Sequence, residues 1–306
     1  LAQIQQIQTA LENGDVEAAL KAVNLDPANF RPIDKTLTAA YEAGGNATAS
    51  GFPTLGVPGG LRVVFQFDVR NPAAEAWISQ YSSELVTQIT DGQRTMIRNF
   101  LTQGLAAGDN PRTTAIDLVG RVGSNGQRTG GMIGLTDSQS QWVQNYADAL
   151  AGDNPTDALA YTLRDARFDG TVQTAFENNE PLTVDQIDRM VTAYTNRALR
   201  YRAETISRTE TMAALHESQQ QALEQAVGSG AIDQSQVMFA WRTAGDDRVR
   251  DSHAEMDGQT VAMGDFFISG LGNLLEYPGD FRAPPEDVCN CRCWREPVVD
   301  FFAGVQ

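Results

Sequence analysis

The chain has no run of about 18 uncharged apolar residues, and its first residues lack a basic stretch followed by an apolar one. Neither a membrane-spanning helix nor a secretory leader is therefore expected. Lysine is almost missing: Lys21 and Lys35 stand alone among 23 basic residues, the rest being arginine. No Gly-Lys step occurs, which excludes a phosphate loop whose ammonium must reach terminal phosphates. Histidine is reduced to His216 and His253. No Ser/His/Asp or Cys/His nucleophilic grouping is legible, and no catalytic residue is assigned. The three cysteines, Cys289, Cys291 and Cys293, fall within five residues. An odd count without a leader points to a reducing compartment and to thiols used for metal or packing, not for a disulfide framework. No repeat of 20 to 50 residues is evident, so solenoids and propellers are excluded.

What is there suffices for a folded chain. Its 306 residues are about two domains' worth, and 42% hydrophobic with 20% charged residues is near the globular average. Charge is lopsided, with 23 basic against 39 acidic residues, a net −16. Such a body repels polyphosphate over its surface as a whole, so DNA contact requires a local basic patch. The chain opens at Leu1 rather than Met, and residues upstream are expected.

Patterning predicts an α+β protein that is mostly α, an N-terminal helical domain with long helices preceding a small C-terminal α+β domain with short strands. Three parts are expected: a helical and extended arm over 1–60, a helical domain over 61–229, and a small α+β domain over 230–306. In the arm, Ile4, Ile7 and Leu11 form one stripe, Asn13-Gly14-Asp15 breaks it, and Val16 to Val23 is a second helix. Gly44 to Gly60 reads as a linker or an arm lying on a neighbour. Leu61 to Val69 alternates like a strand. An antiparallel helix pair turns at Asp91-Gly92, and a third helix begins at Asn110-Pro111. The glycines at 120, 123, 126, 130, 131 and 134 are spaced too irregularly for a dinucleotide fingerprint and read as turns. Thr136 to Gln139 and Thr183 to Gln186 are capping boxes, the second opening a helix toward Gln225.

On that helix Arg189, Arg197, Arg200, Arg202 and Arg208 surround one acid, Glu204. The segment is either a contact for DNA or an acidic partner, or a solvated face with Glu204 pairing to Arg200 and Arg208 at i±4. His216, farther along, reads as a surface residue. After Gly228-Ser229-Gly230 the character changes, with Val237 to Trp241 a strand and Asp247 to Met256 a short helix. There Val249, His253 and Met256 share the inward face. In an extended VCNCRCW run the cysteines project to one side, so His253, Cys289, Cys291 and Cys293 make a candidate structural zinc set. The spacing is C-x-C rather than the common C-x-x-C, and small buried hydrophobes beside a core histidine are the other reading. An enzymatic alternative, a zinc-dependent hydrolase of deaminase type, rests on His253-Ala254-Glu255 followed by proline and the cysteines. Against it, Pro285 does not abut the first cysteine and Pro297 would stop the helix such a site opens.

Several blocks, taken in order, resemble the phage head morphogenesis, or Mu protein F-like, minor capsid protein family. They are RYRAETISRTETMAAL (Arg200 to Leu215), WRTAGDDRVRDSHAEMDGQTV (Trp241 to Val261), YPGDFRAPPEDVCNCRC (Tyr277 to Cys293) and, more loosely, GGMIGLTDSQ. The resemblance implies a virion protein present in few copies inside the capsid at the portal vertex, made in the host cytoplasm. It would associate with the portal, with the major capsid protein as a further candidate partner, and assist head assembly and DNA packaging or ejection. Carried over residue by residue, the marked positions are Arg208, Thr209, Glu210, Asp247, Arg248, His253, Asp257, Gly258, Pro278, Gly279, Cys291, Arg292 and Cys293. Cys289 lies outside the pattern. Some relatives continue into an effector domain; none is expected after Gln306.

Overall fold

The computed structural model describes residues 2–26, 31–52, 55–56, 62–122 and 128–300. Helices dominate, and the longer strands lie near the C-terminus, as patterning predicts. The chain forms two compact units, one of residues 1–28 and 85–203, the other of 29–84 and 204–306. Two long helices, α4 (Pro72–Ala107) and α8 (Val184–Gly228), contribute residues to both.

In the first unit, α1 (Ala2–Glu12) buries Ile7 and Leu11, and α2 (Val16–Val23) is capped by the Asp15 side chain on the Ala18 amide. The N-terminal part of α8 begins at the expected box: Thr183 N–H donates to Gln186 Oε1 at 2.8 Å and Gln186 N–H to Thr183 Oγ1 at 3.3 Å. Between these, α5 (Pro111–Val119) starts on the predicted Asn110 cap. A short hairpin, β3 (Arg121–Val122) with β4 (Arg128–Thr129), follows. Gly120 and Gly131 meet there at positive φ, and a Cβ on Gly131 would lie 2.6 Å from Gly120 N, so close backbone approach explains those glycines. Gly123 and Gly126 lie outside the described residues. The other predicted capping box opens α6 (Asp137–Ala151), and α7 (Asp169–Glu177) completes the unit. Its core joins Met96, Ile97, Leu101, Leu118, Tyr146 and Tyr194.

In the second unit, α3 (Arg31–Ser50) runs through Gly44 and Gly45, so the expected linker is helix up to Ser50. Packing is the reason: a Cβ on Gly44 would sit 2.2 Å from Ser218 Oγ and 2.9 Å from Leu215 O, and one on Gly45 would enter the Phe67 ring. The strand expected over 61–69 shrinks to β2 (Arg62–Val63) against β1 (Leu55–Gly56). Beyond it the alternation persists without a ladder, with Phe65 beside Phe52 and Phe67 beside Tyr41. The helix pair expected around Asp91-Gly92 is instead the unbroken α4. Nothing lies within 4 Å of a Cβ placed on Gly92, so the glycine costs about 1 kcal/mol in propensity and does not break the helix.

After α8, β5 (Val237–Arg242) forms the centre of an antiparallel sheet with β6 (Thr260–Ala262) and β9 (Trp294–Val299). Between them lie α9 (Asp251–Ala254), the hairpin of β7 (Phe267–Ile268) and β8 (Leu274–Leu275), and α10 (Pro285–Val288). One sheet face presents Val237, Phe239 and Trp241 to a core that includes Met256, Phe267, Leu275, Cys291 and Cys293. Arg295 also faces inward. Its guanidinium lies 3.9 Å from the Phe239 ring centroid and donates to Gln219 Oε1 and Gln220 Oε1, so side-chain dipoles and a π face replace water.

Candidate metal centre

His253 is placed by a loop that closes on itself. Trp241 N–H donates to Gln259 O and Gly258 N–H to Trp241 O, both at 2.8 Å. Gly258 adopts φ 81°, and Asp257 Oδ1 accepts from both the amide and the hydroxyl of Thr243. This returns α9 beneath β5, so that the His253 ring meets Trp241 edge to face at 5.4 Å.

The cysteines are placed by α8. Asn290 takes the left-handed conformation, φ 56°, which asparagine tolerates better than most residues. Its amide donates to Thr209 Oγ1, its side-chain nitrogen to Thr205 Oγ1, and its side-chain oxygen accepts from Arg208, each at 3.1 Å. The turn leaves Cys289 exposed and Cys291 and Cys293 buried. Arg292, between them, pairs with Asp246, which Arg248 also approaches. Hydrogen bonding from Arg292 holds the Asp246 carboxyl well below the usual range.

His253 Nδ1 lies 3.5 Å from Cys291 Sγ and 3.5 Å from Cys293 Sγ, and the three donor atoms are mutually within 4.8 Å. All three side chains are at most 3% exposed. On the other edge of the ring, Nε2 lies 3.3 Å from Asp287 Oδ1 but without hydrogen-bond alignment. Asp287 is itself fully buried and accepts from Ser252, Ser269 and Asn273. Burial pushes its carboxyl up, and those hydrogen bonds with the neighbouring imidazole outweigh burial and hold it below its ordinary value. Of the two thiols, Cys291 is drawn down by a hydrogen bond from Cys293, while the same bond and burial push Cys293 up. Of the pair, Cys291 is thus the one favoured as thiolate.

Several expected residues go elsewhere. Cys289 is not part of the cluster, because the Asn290 turn directs it outward. Glu255, the proton shuttle of the enzymatic alternative, is exposed and lies against Gly270, also outside the cluster. His216 is buried, contrary to the surface expectation: its Nδ1–H donates to Met212 O at 2.9 Å and its Nε2 accepts from the Arg295 amide. Arg208 bonds Asn290 rather than Glu204. Arg189 pairs with Asp185, and Arg197 with the buried Asp165. Arg200 is exposed, whereas Arg202 is half-buried and burial lowers its pKa. Glu210 accepts from Tyr81, and burial raises its carboxyl. Gly279, at φ 88°, brings the Pro278 turn against α8, where a Cβ would lie 3.2 Å from Ala213 N. Asp247 is exposed, and its neighbour Asp246 makes the ion pair.

Sequence reasoning missed Asp287, Asn290 and Arg295. The asparagine between two cysteines was a usable signal for a left-handed turn. A buried arginine on an alternating strand had none.

The sequence model of a family described as phage Mu protein F like protein matches residues 95–295, more than half of the chain. The chain belongs to the phage Mu protein F-like family. No match was found among curated proteins or among solved structures. The Mu protein F-like family is a structural one, of phage head morphogenesis, which assigns the chain to bacteriophage virion assembly. Its matched region takes in His253, Cys291, Cys293 and the α8 residues that clamp Asn290. No helix among the described residues is long and apolar enough to cross a membrane.

Proposed function

We propose that this Mu protein F-like chain is a non-enzymatic minor head protein, present in few copies at the portal vertex, where it assists head assembly and DNA packaging or ejection. The family match over residues 95–295 carries the reading. Two physical features support it. A net charge of −16 favours docking on basic partner surfaces, on the portal or the major capsid protein. The β7–β8 hairpin also leaves Ile268, Leu271 and Leu274 more than half exposed, with Phe266 beside them, the kind of apolar grouping that protein partners cover. With Arg189 and Arg197 already paired to carboxylates, Arg200 is the arginine of that stretch placed to meet phosphate, so any DNA contact is local.

The test is capture of portal protein by the tagged full chain. Capture should occur at low salt, weaken as salt rises, and fall further in an Ile268→Asp, Leu274→Asp double variant whose circular dichroism is unchanged. No capture at low ionic strength would refute portal association.

A further inference from the structure

We propose that His253, Cys291 and Cys293 bind one zinc ion through exactly three protein donors, with Asp287 orienting the imidazole and solvent completing the coordination. The inference does not depend on portal association.

The distances carry it. Tetrahedral zinc with Zn–N of about 2.0–2.1 Å and Zn–S of about 2.3 Å requires N···S edges of about 3.5–3.6 Å. Both observed edges are 3.5 Å. A thiol–imidazole hydrogen bond has a similar length, but the ring nitrogen offers one lone pair and accepts one such bond along it. Two sulfurs equidistant from the same nitrogen are what a cation on that lone-pair axis would hold. Two thiolates and a neutral imidazole cancel the charge of a divalent cation, which lets the centre be buried.

The second observation is the orphaned nitrogen. His253 Nε2 is buried without a hydrogen-bond partner, yet faces a carboxylate fixed by three other donors. With Nδ1 on a metal, the ring proton would sit on Nε2, the edge that faces Asp287 Oδ1 across 3.3 Å, and a tilt of the ring would bring the two into line. A metal-bound histidine commonly donates its other ring N–H to such a carboxylate.

The third is the fourth position. Cys289 is exposed and outside the donor group. A cavity of about 20 Å³ adjoins His253, Cys291 and Cys293, walled by Arg250, Asn290 and Arg292. That volume holds about one water and no substrate-sized molecule.

The experiment uses the full chain purified under reducing conditions without chelator. Elemental analysis should give one zinc per chain, and X-ray absorption at the zinc edge should show two sulfur and two nitrogen or oxygen neighbours. Cys291→Ser and Cys293→Ser should abolish stoichiometric zinc, while Cys289→Ser should retain it. Should the first two variants fail to fold, Asp287→Asn keeps the question open to measurement. It should keep the zinc but weaken affinity roughly 10- to 100-fold in chelator competition. Absence of metal even after reconstitution with zinc or cobalt, or a Cys291–Cys293 disulfide in its place, would overturn the site. A third sulfur neighbour, or loss of zinc in Cys289→Ser, would overturn the three-donor assignment.

Discussion

The burial of His216 makes a titration experiment decisive about how α8 is packed. Burial and the nearby Arg295 charge push the imidazole pKa down to about 3, against an ordinary value near 6.5. The geometry explains the direction. Nδ1–H is committed to Met212 O, and Nε2 accepts the Arg295 amide, so a second ring proton would face an N–H donor. The folded chain therefore leaves His216 neutral while the unfolded chain takes up a proton below about pH 6.5. Stability is complete above that pH and falls by about 1.4 kcal/mol per unit below it, until the folded pKa is reached. Between pH 6.5 and 5 the loss is about 2 kcal/mol, a large share of a typical domain's stability. Carboxyls raised by burial, among them Glu210 and Glu217, act with the opposite sign, so the quantity to measure is a difference. Urea unfolding of the native chain and of His216→Asn should diverge by that amount over the interval, the variant losing less on acidification. With two histidines in the chain, imidazole NMR assigns the effect directly, His253→Ala identifying the other signal. A His216 signal titrating near pH 6.5 in the folded chain would refute the burial and the network drawn from it.

Two further predictions concern packing. Gly44→Ala should destabilise the chain in urea: the propensity gain of about 1 kcal/mol is set against an overpacking cost of about 1–3 kcal/mol from contacts with Ser218 Oγ and Leu215 O. Gly92→Ala meets nothing within 4 Å and should instead stabilise by up to about 1 kcal/mol, so equal signs for the two substitutions would contradict the packing of α3. Thr209→Val should cost about 1–3 kcal/mol by stranding the Asn290 amide and should weaken zinc retention, read as metal content after dialysis. Retention and stability both at the native level would show that α8 does not hold the cysteine turn.

Legibility from sequence followed the range of the interaction concerned. The capping boxes at Thr136 and Thr183, the Asn110 cap and the β5 alternation rest on neighbours within four residues, and each appears as expected. The failures involve partners far along the chain. Gly44 reads as flexible until Leu215 and Ser218 are seen against it, whereas Gly92 is the exception, a local misreading in which a glycine only lowers the helix propensity of α4. His216 reads as surface because Arg295 and Tyr277 arrive from some 60 to 80 residues later. The candidate centre was half legible. His253, Cys291 and Cys293 are named by residue type and spacing, but the extended run expected to put Cys289 with them is broken by the Asn290 turn, and Asp287 required knowing that α10 lies behind the imidazole.

The positions that the family resemblance marks also argue about what the C-terminal region does. Arg208 and Thr209 hold the Asn290 turn, Gly279 lets a loop touch α8, Asp257 and Gly258 close the loop that carries His253, and Arg292 ties the cysteine segment to Asp246. Each is a joint between segments. Three strands of this region are short, β6 with three residues and β7 and β8 with two each, so the loops around them depend on side-chain contacts. Side-chain clamps supply such constraint, and the zinc proposed above would add to it, since a ligand held by the folded state adds about 4 kcal/mol when present at a thousand times its dissociation constant. Rigidity of that origin suits a part whose surfaces must keep their shape while neighbours assemble on them.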